Sequence, residues 1–185
     1  MEKAIYSHIN LKNRDTLIAC EFYDSIFDIV ETSEVQMLKQ YTQHMLTSRF
    51  QHCINVSYYS FLIARKLNLD AYSAARAGLL HDLYYYDWKT DDQRPYEGNH
   101  AKIHPIIALE NTKKLISTNE NIEDAIVHHM WPLKTSHPKT SIGWIVQAVD
   151  KFCALLEIYS SILMKNYRSN HITIYAIIIT FLITH

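Results

Sequence analysis

Apolar residues along the chain recur at helical spacing in most places where they recur at all. Phe50, Ile54, Tyr58, Phe61, Leu62 and Ile63 form one stripe, which predicts a helix from Ser48 to about Asn68. Upstream, Leu17, Ile18, Phe22, Ile26, Ile29 and Val30, then Val35, Met37, Leu38, Tyr41 and Met45, predict two packing helices separated near Thr32-Ser33, where an N-cap is available. Asp70 offers a cap for a helix running from Ala71 into His81-Asp82. Residues Asp87 to Asn99 are polar and contain Pro95 and Gly98, so they read as a loop and a candidate lid. Pro105 predicts the first turn of a helix through Ile106, Ile107, Leu109, Leu115 and Ile116, with His104 at its start. Asn119 or Asn121 can cap the next helix, whose face carries Ile122, Ala125, Ile126 and His129 before Trp131-Pro132 stops it. The last clear helix runs from Ile142 to about Met164, with Asp150 embedded among Ile145, Val146, Val149, Phe152 and Leu155.

These elements predict an all-α helical bundle forming a single domain over 1–185. Its core lies at about 48–160, residues 1–47 supply packing helices, and 165–185 form an apolar C-terminal segment. The chain of 185 residues is long enough to bury a core without staples. Only three Gly and four Pro are present, which argues against an all-β chain with its regular turns. With 18 basic and 19 acidic residues and no basic block, a surface for a nucleic-acid polymer is not expected. Cys20, Cys53 and Cys153 have no metal-like spacing, and residues 1–10 do not read as a signal peptide, so a reducing cytoplasm is expected. The apolar stretch Ile172 to Thr184 is about 13 residues, short of the roughly 20 needed to span a bilayer. It reads as a core or interface segment whose exposure would favour a homodimer.

Six polar residues change the picture, because they interrupt apolar helix surfaces or stand at helix starts: His52, His81, Asp82, His104, His129 and Asp150. Spacings of 29, 23, 25 and 21 residues separate His52, His81, His104, His129 and Asp150, each about one helix plus one loop. One ligand per helix would let a bundle gather all of them. A buried carboxylate without a counter-charge costs several kcal/mol, and a shared cation is the simplest relief for Asp82 and Asp150. The mixed nitrogen and oxygen donors suit a divalent transition metal, one or two ions, with iron or manganese favoured and zinc, nickel or magnesium possible. His8, His44, His100, His137, His171 and His185 read as ordinary core or surface histidines.

A lone His, a later His-Asp pair and a final Asp, all on helices, resemble the HD-domain metal-dependent phosphohydrolase superfamily over about residues 48–160. The pattern carries over as His52, His81, Asp82 and Asp150, with the small apolar lead-in Ala77-Gly78-Leu79-Leu80 before the pair. His104 and His129 resemble the extra ligands of the binuclear branches; of the adjacent His128-His129, His129 is in register with the apolar face. The cyclic-dinucleotide phosphodiesterase branch has a Gly-Tyr-Pro signature and a Lys four residues after the paired His, where this chain has Met130-Trp131-Pro132 and Tyr85. The resemblance implies hydrolysis of a phosphoester bond in a nucleotide or related phosphorylated small molecule, by a hydroxide held on the metal. His81 and Asp82 would then be catalytic. Arg49, one turn before His52, and Lys151, next to Asp150, would grip the substrate's phosphate. The alternative is a non-catalytic sensor domain that binds metal and nucleotide.

Overall fold

The computed structural model describes residues 3–7, 16–89, 97–133 and 135–166. Most of the expected lid and the whole apolar segment beyond 166 lie outside the described residues. The described chain folds as seven α-helices and one small hairpin: α1 (Leu17–Val30), α2 (Ser33–Met37), a 3-10 turn (Leu38–Gln40), β1 (Thr42–His44), β2 (Thr47–Ser48), α3 (Arg49–Lys66), α4 (Ala71–Leu80), α5 (His100–Leu115), α6 (Glu120–His128) and α7 (Ser141–Asn166).

The helix at the centre is α3. It starts where Ser48 caps it, its side chain accepting the Gln51 N–H at 3.2 Å, and it ends before Asn68, whose φ of 55° is left-handed. From Phe50 to Phe61 all but Gln51 are buried, because α3 packs against both α4 and α7. His52 therefore lies wholly inside although it sits off the apolar stripe. The approach of α3 to α4 is very close at Gly78, where a Cβ would fall 2.7 Å from Ser57 Cα and N. Ser57 Oγ meanwhile donates to Ala75 O at 2.6 Å. Only a glycine lets the helix carrying His81-Asp82 approach the helix carrying His52 this nearly.

The other starts follow the sequence closely. Thr32 caps α2, Asp70 caps α4 through Ser73 N at 2.9 Å, and Asn119 caps α6 through Ile122 N at 3.0 Å. Two expectations need correction. The second packing helix does not run on to Met45: it stops at Met37, and Thr42 to Ser48 form an antiparallel hairpin turning at Met45, whose φ is 48°. Here a β-branched residue beside an aromatic one (Tyr41-Thr42) favours extended backbone over a further helical turn. Likewise α5 begins at His100, capped by Asn99 through Ala101 N at 2.9 Å, so Pro105 lies inside the helix and His104 one turn in.

Asp124 on α6 organises the junction with α7. Its carboxylate accepts Lys139 N, Thr140 N and Thr140 Oγ1 at 2.9–3.1 Å, and Thr140 Oγ1 in turn accepts Gly143 N–H at 2.9 Å, capping α7. A side chain at Gly143 would collide with Asp124, its Cβ 2.2 Å from Oδ2. Burial would raise the Asp124 pKa, but these donors together with His128 hold it below the ordinary 3.8.

Two tests follow from this packing. Gly78→Ala must separate backbone from backbone, and chemical denaturation should show a loss of about 1–3 kcal/mol or more. A folded Gly78→Ala protein of unchanged stability would show that the close approach is not obligatory. For Asp124 the folded pKa is depressed, so its contribution is present above about pH 3.8 and is lost as pH falls through the lowered value. Stability measured against pH should therefore decline more steeply in acid for the wild type than for Asp124→Asn.

Candidate metal centre

The six residues singled out in the sequence come together inside the bundle. His52 comes from α3, His81 and Asp82 from the end of α4, His104 from α5, His129 from the end of α6 and Asp150 from α7. All are buried, the most exposed being Asp150 at 6%.

Each imidazole is fixed by its outer nitrogen. His81 Nδ1 faces Gly78 O at 2.8 Å, His104 Nδ1 faces His100 O at 2.8 Å, and His129 Nδ1 faces Ile126 O at 2.7 Å. A carbonyl can only accept, so in each ring Nδ1 is the donor, and in the neutral ring Nε2 keeps a lone pair. His81 and His129 are the C-caps of α4 and α6, where last-turn carbonyls lack helical partners and the helix dipole is negative. Two negative helix ends thus lie beside the cluster. His52 Nδ1 is held differently, by the Glu157 carboxylate at 3.0 and 3.1 Å.

The carboxylates are fixed in the same sense. Asp82 Oδ2 accepts from Gln43 Nε2, and Asp150 Oδ2 accepts from Lys151 Nζ at 2.7 Å. The orientation of Gln43 is set by Arg49 Nε, which donates to Gln43 Oε1 at 2.9 Å and so turns the amide nitrogen toward Asp82. Inner atoms therefore converge: His52 Nε2 is 2.9 Å and His81 Nε2 3.6 Å from Asp150 Oδ1, while His104 and His129 Nε2 lie 3.3 and 3.6 Å from Asp82 Oδ1.

These residues fit a bound cation. His81 Nε2 and Asp82 Oδ1 are fully buried with no hydrogen-bond partner, and the unprotonated His104 and His129 Nε2 atoms face each other at 2.9 Å. Orphaned acceptors at such depth are costly, and an electrophile among them removes the cost. Among the described residues, His52, His81 and Asp150 form one set of donors within 4.8 Å of one another, and His81, Asp82 and His129 form another. Electrostatics agree. Burial would raise Asp82 and Asp150, yet the surrounding imidazoles hold both well below the usual carboxylate range. Burial would lower His52, but Glu157 and Asp150 outweigh it and raise its pKa to about 10, so without a metal this ring carries the compensating positive charge. Burial, then His104 and His81, push His129 well below its usual value.

Two expectations about neighbours fare differently. Lys151 stands at the rim, its side chain 34% exposed and its ammonium also donating to His129 O at 3.0 Å. Arg49, expected to meet a substrate phosphate, is instead wholly buried. Its Nη atoms donate to Tyr84 O at 2.7 Å and Tyr86 O at 3.2 Å, and its guanidinium lies 3.5 Å from the centre of the Tyr84 ring, so it ties the hairpin to the segment after the His-Asp pair. His128 turns away to Asp124 Oδ1 at 2.8 Å. Sequence reasoning missed Gln43, His44 and Glu157. His44 on β1 packs its ring 5.1 Å from that of His52 and joins His52 and Glu157 in a third set of possible donors. Glu157 lies seven residues after Asp150, two turns along the same helix face, and that register is the signal that would have found it.

The family model for the HD domain matches residues 49–155, and the chain belongs to that family. Its relatives include "Ribonuclease Y" of Lawsonia intracellularis (strain PHE/MN1-00), 36% identical over 110 residues, covering 60% of this chain and 18% of that protein. "Ribonuclease Y" of Nitratidesulfovibrio vulgaris (strain DP4) is 32% identical over 117 residues, covering 63% of this chain and 20% of that protein. "Putative phosphohydrolase YueE" of Bacillus subtilis (strain 168) is 32% identical over 75 residues, covering 40% and 43%. The chain thus spans about a fifth of the ribonuclease relatives and less than half of the third. No solved structure matches it at a significant level. Among the described residues no helix is long and apolar enough to cross a membrane.

Asp82→Ala removes the buried oxygen that faces His104 and His129. Elemental analysis of the purified protein should show a bound transition ion in the wild type and little or none in Asp82→Ala; equal metal content in the two would refute the assignment.

Proposed function

We propose that the protein is a metal-dependent phosphohydrolase that cleaves a phosphoester in a nucleotide or related phosphorylated small molecule. The observation that carries this reading is the gathering of His52, His81, Asp82, His104, His129 and Asp150 in one buried cluster, of which His52, His81, Asp82 and Asp150 follow the HD pattern. A divalent transition ion there, iron or manganese by preference, would neutralise phosphoryl oxygens and bring the pKa of a bound water near 7. His52, His81, Asp82 and Asp150 would hold it, with His81 and Asp82 at the reacting centre; His104 and His129 would complete the coordination or hold a second ion. His81 Nε2 has one lone pair and belongs to both donor sets, so it can serve only one ion at a time. Lys151, the half-buried cation at the rim, would meet the substrate's phosphate oxygens.

Cys53 and Cys153 do not compete with this scheme as nucleophiles. Both are buried, and burial pushes both thiols well above their ordinary pKa, which keeps them as inert thiols. Three free cysteines accord with a reducing compartment such as the cytoplasm.

The ribonuclease names among the relatives favour a second reading, in which the scissile bond is a phosphodiester of RNA. A net charge of −1 without a basic block favours the small substrate. Chelation should abolish turnover and added manganese or iron restore it, while Cys53→Ser keeps most activity. The panel comprises mononucleotides, dinucleoside polyphosphates, guanosine polyphosphates, cyclic nucleotides and short RNA, read by release of phosphate or nucleoside product. Cleavage of RNA alone would select the second reading. A folded, metal-loaded protein that cleaves none of them would be a sensor rather than an enzyme.

A further inference from the structure

Three of the four imidazoles are held at Nδ1 by backbone carbonyls, which no substitution removes. His52 alone depends on a side chain. Glu157, 1% exposed, places Oε2 3.0 Å and Oε1 3.1 Å from His52 Nδ1, and Oε1 also accepts from Asn55 Nδ2 at 2.7 Å. Asn55, one turn after His52 on α3, is thereby aimed at the carboxylate and accepts Ile5 N–H at 2.9 Å through Oδ1, which fixes its amide orientation. Glu157 lies just past the segment matched by the family model.

From this geometry we infer that Glu157 is a positioning residue for the metal centre: it accepts the Nδ1–H of His52 and so aims Nε2 into the cluster beside Asp150 Oδ1. The inference rests on the metal-centre reading but not on any particular substrate. An acceptor behind a ligating imidazole fixes its tautomer and ring orientation. The other use of the same atoms, a cation held by His44, His52 and Glu157, would take the Nδ1 lone pair and leave the ring's proton on Nε2, donated to Asp150, so that His52 would be lost to the central cluster. The acceptor role keeps Nε2 for that cluster and gives the buried charge of Glu157 a partner.

The test compares wild type, Glu157→Gln and Glu157→Leu, each stripped with a chelator, checked for folding by circular dichroism and titrated calorimetrically with Zn²⁺ and Mn²⁺. Gln retains an acceptor at the Oε1 position, whereas Leu fills the space without one. Glu157→Leu should weaken binding of the first ion about 10- to 100-fold, and Glu157→Gln should stay close to wild type. Imidazole ¹⁵N shifts of the Zn²⁺-loaded proteins should show His52 protonated at Nδ1 in wild type and Glu157→Gln. A folded Glu157→Leu with wild-type affinity overturns the proposal, as does a Glu157→Gln that binds as weakly as Leu, since charge rather than proton acceptance would then be at work. If Leu does not fold, the His52 tautomer in Glu157→Gln decides, and an unprotonated Nδ1 there overturns it. A wild-type protein that takes up neither ion removes the metal centre and this role together; intact uptake in Glu157→Leu removes this role alone.

Discussion

The constraint on which the rest depends is the burial of two aspartates. Asp82 and Asp150 sit at 2% and 6% exposure in the middle of a helical bundle, where an uncompensated carboxylate costs several kcal/mol. The surrounding chain meets that cost twice over. Four imidazoles and two negative helix ends create a place for a cation, and every ligand's outer atom is tied so that its inner atom has only one direction to face. Preorganisation of this sort means that the charges are arranged before an ion arrives rather than gathered by it.

Backbone geometry carries much of this arrangement. Gly78 allows α4 to lie close enough to α3 for the His-Asp pair to meet His52. Asp124 pins the loop into α7 and so fixes the helix that presents Asp150, Lys151 and Glu157. Arg49, in turn, spends its donors on the Gln43 amide and the carbonyls of Tyr84 and Tyr86, locking the hairpin over the cluster. An arginine placed this way shapes the site from below. Its charge reaches the centre through the oriented Gln43 amide, not through contact with a ligand.

The sequence was most legible where chemistry and periodicity contradicted each other. His52, His81, Asp82, His104, His129 and Asp150 were conspicuous because each broke an apolar helix surface or stood at a helix end, and their spacing matched one ligand per helix. The groups behind them were harder to read. Three of the four histidine anchors are carbonyls, which leave no signature in the side-chain sequence. Gln43 and His44 belong to a hairpin of three- and two-residue strands, too short for a period-2 pattern to emerge against the helical pattern of Val35, Leu38 and Tyr41. Arg49 was misread because a register argument places it near the site but cannot say which side of the ligands it occupies. Helical position gives direction around an axis, whereas depth is decided by what packs on top.

Charge at the cluster points the same way as its geometry. Asp82, Asp150 and Glu157 bring three buried carboxylates, and Lys151 bonds directly to one of them. Arg49 adds a second positive charge, held by two carbonyls and the Tyr84 ring. With all imidazoles neutral, three carboxylates against Lys151 and Arg49 leave one negative charge over, so the cluster favours a cation. Without the ion the deficit is met by protonated His52, held between Glu157 and Asp150. A bound cation and that proton would therefore be alternatives at this ring, uptake of one expelling the other.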